Sequence, residues 1–208
     1  KTKGLDKLLS RIEGELGVQP YGAELMHILR NAYTPDTDIQ TATFKLVNAL
    51  FAKYGLIVLI PDNGNLKRAV LPVFEDDLFN HTPSRIVGNT IDQLSEHYKV
   101  QANPRDINLF YLHNDIRERI ERDSDGWKVV NQDIQFDESS LKSALREDPR
   151  RFSPNVILRG MFQETILPNI AFIGGGGELA YWLELKNLFG HYKVPYPLLV
   201  VRNSFLFI

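Results

Sequence analysis

The 208-residue chain contains no cysteine. That excludes disulfides, thiolate metal sites and a cysteine nucleophile, and it suits a reducing compartment. Positive charge is not in excess either: 24 Lys and Arg face 26 Asp and Glu, a net charge of -2. A nucleic-acid backbone would find no surplus of counter-charge, although a local basic patch stays open. No apolar run approaches the roughly 18 residues of a membrane span, and no signal-peptide pattern opens the chain. Elimination therefore points to a cytoplasmic location, with neither nucleic acid nor membrane as partner. The sequence also lacks a G-x-x-x-x-G-K-[ST] phosphate loop, an H-E-x-x-H zinc motif and a G-x-S-x-G elbow. Its five histidines, His27, His81, His97, His113 and His191, are scattered, and no metal site is read from them.

What is present is enough apolar material for a core: 43% hydrophobic and 24% charged residues, ordinary for a globular domain. Leu5, Leu8, Leu9, Ile12 and Leu16 recur at helical spacing up to Gly17. A second helix opens after Pro20 and runs toward Tyr33. A third runs from Asp38, with Thr37 as its expected cap, toward Tyr54, with Gly55 as its stop. Leu56 to Ile60 is an unbroken apolar run, the pattern of a parallel strand covered on both faces. Helices over about 65–80 and 83–98 follow, and the Glu75-Asp76-Asp77 run reads as a solvated helix face.

The middle of the chain reads as short strands at 108–112, 117–121, 127–130 and 134–136, with a turn at Asp123 to Gly126. Arg117 to Arg122 alternates charge, as the exposed side of a strand does. Asp137 caps a helix that Pro149 closes. Beyond it, Asn155 to Arg159 reads as a strand, 163–167 as a short helix, and Asn169 to Ile173 as a strand. A glycine loop at 174–177, a helix over 178–192 and a strand over 197–201 complete a βαβ unit. The fold class is α/β: a partial Rossmann-like parallel sheet with flanking helices and a small β-rich insert. The expected division is 1–98 for helices and one sheet strand, 99–150 for the insert, and 151–208 for the βαβ part. The chain opens at Lys1 without methionine and closes on the apolar run Phe205 to Ile208, which reads as an internal piece of a longer polypeptide.

The strongest local signal is Gly174-Gly175-Gly176-Gly177-Glu178. Glycines between strand and helix allow a sharp bend and leave the first helical amides open to an anionic group or a carbonyl oxygen. Glu178 in the first turn suits the helix dipole but opposes a bare anion. A zwitterion, or a hydroxylated, amine-bearing ligand, fits the pair better. The competing reading is structural: the glycines pack helix on strand, and Glu178 caps the turn. Gly175, Gly177 and Ala180 also satisfy G-x-G-x-x-A, the mark of an NAD(P)-dependent enzyme, but Arg202 stands where an acidic ribose ligand is expected and little chain follows. Arg159 and Arg202 each close a strand-like segment and suit a carboxylate or phosphate fork. Asn155, Gln163, Glu164 and Tyr181 are polar candidates on the same rim, and Trp182 and Leu183 read as core. The expectation is that the glycine bend and both arginines converge on one pocket. A non-catalytic sugar-acid or nucleotide-binding module would use the same features.

These residues carry a family resemblance. Arg151 to Arg159, Gln163 to Trp182 and Val194 to Phe205, with Asn108 to Tyr111 and Gly55 to Asp62, resemble the cysteine ligases of bacillithiol biosynthesis. The likeness covers most of the chain, and 153–182 is its most specific block. The resemblance implies an enzyme that joins cysteine to the amino group of glucosaminyl malate, with ATP or ADP as the nucleotide; the sequence itself shows no cofactor. It implies a core similar to nucleotidylyl transferases and class I aminoacyl-tRNA synthetases, with connecting-peptide inserts. It also implies a homodimer through a C-terminal coiled coil. The glycine–glutamine turn, the His-Asp signature and the coiled coil of that family are not found in these residues, so the catalytic residues stay unassigned and the piece alone is expected to be inactive. Gly177 departs from the Pro or Ala that many members carry in this loop.

Overall fold

A computed structural model describes residues 4–114 and 116–204. The apolar run at 205–208 therefore lies outside the described residues. Contacts divide the chain into two compact units, at Pro61 and Asp62, so the expected boundary at 98 falls inside the second unit.

The first unit holds three helices, α1 (Asp6–Leu16), α2 (Gly22–Ala32) and α3 (Ile39–Phe51). Leu9, Met26, Ala32 and Ala42 are buried among them. Asp38 caps α3 by accepting the Thr41 N–H at 2.8 Å, which satisfies a donor the helix leaves unpaired. A short 3-10 turn follows, and Gly55 at φ 84° ends it, a left-handed conformation that glycine takes without strain. The run Leu56 to Ile60 is not a strand: it pairs with no strand among the described residues, and Leu56, Ile57 and Leu59 are exposed. Apolar patterning supplies a face, but a strand exists only where a neighbour accepts its hydrogen bonds, and none does so among the described residues.

The second unit begins with α4 (Gly64–Arg68), α5 (Leu71–Asn80) and α6 (Thr82–Leu94). The single helix expected over 65–80 is broken at Ala69 and Val70, because Pro72 sits in the first turn of α5 and restricts the residues before it. Next come β1 (Leu109–His113), β2 (Ile116–Asp123), β3 (Gly126–Val129), β4 (Gln135–Phe136), α7 (Glu138–Glu147) and β5 (Phe152–Pro154). The five strands form one antiparallel sheet in the order β4-β3-β2-β1-β5. Asp137 caps α7 by accepting the Ser140 N–H at 2.7 Å.

The chain then forms α8 (Val156–Ile166), β6 (Ala171–Gly174), α9 (Gly176–Tyr192) and β7 (Leu198–Val201). β6 and β7 pair in parallel, Ala171 opposite Leu198 and Gly174 opposite Val201. This is the expected βαβ unit. The segment Asn155 to Arg159 is helical, not a strand. Asn155 accepts the Ile157 N–H at 2.8 Å and so starts α8, which includes the short helix expected at 163–167.

One core joins these elements. Phe74, Leu109, Phe152, Leu158, Trp182 and Phe189 are buried in it. Phe172 of β6 stacks on Trp182 at 4.4 Å between centroids, and Tyr196 donates to the Trp182 carbonyl at 2.6 Å. Leu183, expected in the core, is exposed, since it lies on the opposite side of α9 from Trp182 and Leu185. The acidic run on α5 is not a solvated face either. Asp77 is fully buried, and its oxygens accept the backbone N–H and the side-chain amide of Asn108 at 2.6 and 2.9 Å. Asp76 accepts the Tyr192 hydroxyl at 2.6 Å. Only Glu75 follows the surface reading, pairing with Arg146 at 2.9 Å.

Candidate active site

The bend from β6 into α9 is one residue long, Gly175. A β-carbon at Gly174 would lie 2.7 Å from the Phe172 ring and 3.2 Å from Glu178 Cβ, so helix and strand approach too closely there for a side chain. Gly175 has φ −72°, and any residue can adopt that angle. Its constraint is space, because a β-carbon would lie 3.3 Å from Nη2 of Arg202. Gly176 faces open space, and a β-carbon at Gly177 would come only as near as 3.8 Å to Gln101. Two of the four glycines thus serve packing, and two leave the helix entrance clear. The first helical hydrogen bond is Leu179 N–H to the Gly175 carbonyl at 2.9 Å. The amides of Gly176 and Gly177 precede it and have no partner within the helix.

Glu178 does what the structural reading expects. Its Oε2 accepts the Gly175 N–H at 2.7 Å, the backward arm of a capping box. Its Oε1 accepts nothing among the described residues, and the side chain is exposed. Arg202 extends the parallel pairing by donating its N–H to the Gly174 carbonyl at 2.9 Å. That bond places its guanidinium beside Gly175, and no carboxylate pairs with it among the described residues. Tyr181, half-buried one turn along α9, packs against the core.

Arg159 does not join this group. It lies in α8, exposed, and no hydrogen bond or ion pair ties it to the bend among the described residues. Its charge is felt instead by Arg117, whose pKa is lowered first by burial and then by Arg159. Of the two arginines expected at the bend, Arg202 lies beside Gly175, and Arg159, displaced by the helix in place of a strand, does not. Asn155 is spent on the α8 cap and on Asn108, to which its side-chain amide donates at 2.9 Å. Gln163 donates to Glu164 at 3.1 Å. Fully buried Glu164 accepts the backbone and side-chain N–H groups of Asn169 at 2.7 and 2.9 Å. These three residues shape the chain that enters β6.

A second polar cluster went unread in the sequence. Asp62, His113, Arg117, Asp148, Arg150 and Arg151 line a cavity of about 400 Å³. Beneath it, nearly fully buried Lys67 donates to Asp62 and to the Arg150 carbonyl, both at 2.7 Å. Burial lowers the Lys67 pKa, and the bond to Asp62 opposes that shift. Only the charges were visible beforehand; their meeting depends on long-range pairing of β1 with β5.

A parallel βαβ unit with a glycine bend at the strand end and a polar helix entrance is the mark of a Rossmann-like α/β domain. The chain belongs to the bacillithiol biosynthesis BshC family: residues 1–203 match its description "Bacillithiol biosynthesis BshC, N-terminal Rossmann-like domain". A protein of Flavobacterium johnsoniae named "Putative cysteine ligase BshC" is 43% identical over 99% of this chain and 39% of its own length. Identically named proteins of Christiangramia forsetii and Salinibacter ruber are 38% and 31% identical, each over 98% of this chain and 38% of their own length. The chain thus spans about two fifths of the length of these relatives.

Proposed function

We propose that this domain supplies one wall of the active site of a carbon–nitrogen ligase that joins cysteine to the amino group of glucosaminyl malate. The observation that carries the reading is the grouping at the β6–α9 bend. The open amides of Gly176 and Gly177 and the unpaired guanidinium of Arg202 suit a carboxylate, and the free Oε1 of Glu178 suits an ammonium or hydroxyl. An amino acid presents both groups a few ångströms apart. The same donors without an acid beside them would favour any anion; Glu178 makes the site selective for a ligand that also carries a positive charge.

Joining a carboxylate to an amine expels an oxygen, and a bare carboxylate is a poor acyl donor. A nucleoside triphosphate such as ATP would supply the activation by taking up that oxygen. The donors present fit anionic oxygens, which makes the bend compatible with such chemistry. The residues of this chain bind and orient: Arg202 and the amides hold the acid, while Glu178 holds the amine-bearing part in register. The remaining catalytic groups, a second subunit and a coiled coil that pairs two copies belong to this proposal for the whole protein.

The test uses the intact protein that carries this domain. Glu178→Gln keeps an oxygen for the Gly175 N–H and removes the charge; Arg202→Gln removes the fork. Each should lower bacillithiol formation by roughly tenfold or more while the thermal midpoint stays put. Full activity in both variants would remove the bend from the active site.

A further inference from the structure

The cavity beside the β1–β2 hairpin is independent of the glycine bend and shares no residue with it. It is bordered by the end of β1, the start of β2 and the 3-10 turn Pro149–Arg151, and its volume, about 400 Å³, is that of a small-molecule site. Its cations are held in place. Arg117 donates from Nε to the Ser153 hydroxyl and from Nη2 to the Pro154 carbonyl, both at 3.1 Å, with its guanidinium 3.7 Å above the Phe110 ring. No carboxylate pairs with it among the described residues. Arg151 donates to the Tyr111 hydroxyl at 3.1 Å. Arg150 grips Asp148 through two bonds, at 2.7 and 3.1 Å.

Among the described residues, the charges around the cavity do not balance. Asp62 is matched by buried Lys67, and Asp148 is shared between Arg150 at 2.7 Å and Arg151 at 3.5 Å. Among the described residues, four cations, Lys67, Arg117, Arg150 and Arg151, thus face two carboxylates, and Arg159 adds its charge beyond Arg117. Surface arginines in excess are ordinary. Here a guanidinium is fixed by two hydrogen bonds and a ring, with its remaining N–H groups uncommitted, on the wall of a cavity. Such a group is pre-organised for planar oxyanions.

We propose that this cavity is a binding site for a compact dianion, a dicarboxylate or a phosphate, gripped by Arg117 and Arg151. Asp62 and Asp148 act as the braces that hold Lys67, Arg150 and Arg151 in position, and His113 offers a ring nitrogen at the rim. The geometry selects against monoanions, because one negative charge leaves the cavity cationic.

The experiment is a titration of the intact protein with succinate, with inorganic phosphate and with acetate, read by calorimetry. Succinate, phosphate or both should bind saturably, one per chain, and acetate at least tenfold more weakly; the better of the two dianions assigns the ligand's acid group. Arg117→Gln with Arg151→Gln should weaken that binding by at least tenfold. Arg150→Gln, on the exposed side of the cluster, gives a second variant if the pair unfolds, and should weaken binding by a smaller factor. No saturable binding of either dianion would overturn the proposal, as would unchanged affinity in these variants. Failure here would leave the ligase reading intact, since Glu178 and Arg202 take no part in the cavity.

Discussion

The antiparallel sheet and the parallel pair obey different rules of burial. In β1 to β5, Leu109, Tyr111, Ile120, Trp127, Val129 and Phe152 turn inward and are covered. In β6 and β7, Phe172 and Leu199 pack on the core, but Ile173, Leu198 and Val200 are 66%, 69% and 44% exposed. Antiparallel sheets commonly face water on one side, whereas parallel sheets occur with both faces covered. The antiparallel sheet therefore has the coverage its type requires. The parallel pair carries an apolar face that nothing among the described residues covers, and the glycine bend sits at its end.

Substitutions can break or sharpen that contrast. The largest effect is expected for Phe152→Ala, which empties a fully buried site beside Tyr111 and should cost about 3–5 kcal/mol in urea unfolding. Ile173→Thr, on the bare face of β6, should change stability by no more than about 0.5 kcal/mol. Equal losses at the two positions would refute the contrast.

Asp77 gives the next effect, of about 1–3 kcal/mol. Asp77→Ala leaves the buried Asn108 backbone N–H without an acceptor and removes one of the two acceptors of its side-chain amide, which still donates to the Arg105 carbonyl. The same carboxyl links stability to pH. Burial pushes its pKa up to about 7, against the hydrogen bonds from Asn108, which lower it. The folded state thus holds a proton that the unfolded chain releases nearer the ordinary aspartate value of 3.8. Stability from this group should rise as pH falls from about 7 toward 4 and be flat above 7. Asp77→Asn should abolish that slope in a pH series of thermal midpoints.

Smaller effects separate the four glycines. Gly174→Ala forces a β-carbon against Phe172 and Glu178 and should cost about 1–3 kcal/mol. Gly176→Ala points into open space within the first turn of α9 and should stabilise by up to about 1 kcal/mol. If Gly176→Ala also weakens ligand binding without loss of stability, the open amides are part of the site. Denaturant midpoints paired with ligand titrations distinguish the two roles.

Local signals in the sequence were read well where the physics is local. Asp137 and Gly55 announced helix ends because caps act through hydrogen bonds within a few residues, whereas the cap of α3 is Asp38, one residue beyond the expected Thr37. The hairpin strands and the βαβ unit followed from apolar runs between turn residues. Asn155 to Arg159 misled because a short apolar run suits a buried helix as well as a strand, and the Asn155 cap decided between them. Leu56 to Ile60 has strand composition without a partner strand among the described residues. Asp77 with Asn108 and Arg117 with Ser153 join residues far apart in the chain, and no spacing rule reaches them. At the candidate site, the bend, Glu178 and Arg202 were legible because strand ends and helix entrances coincide in a βαβ unit. The placement of Arg159 was lost with the misread strand.

The most direct test of the account is hydrogen exchange of the intact protein with and without cysteine and glucosaminyl malate. The account predicts that added ligand slows exchange in peptides spanning Ala171 to Trp182, and that Glu178→Gln removes the protection without altering exchange in β1 to β5. Unchanged exchange across the bend at saturating ligand would contradict it.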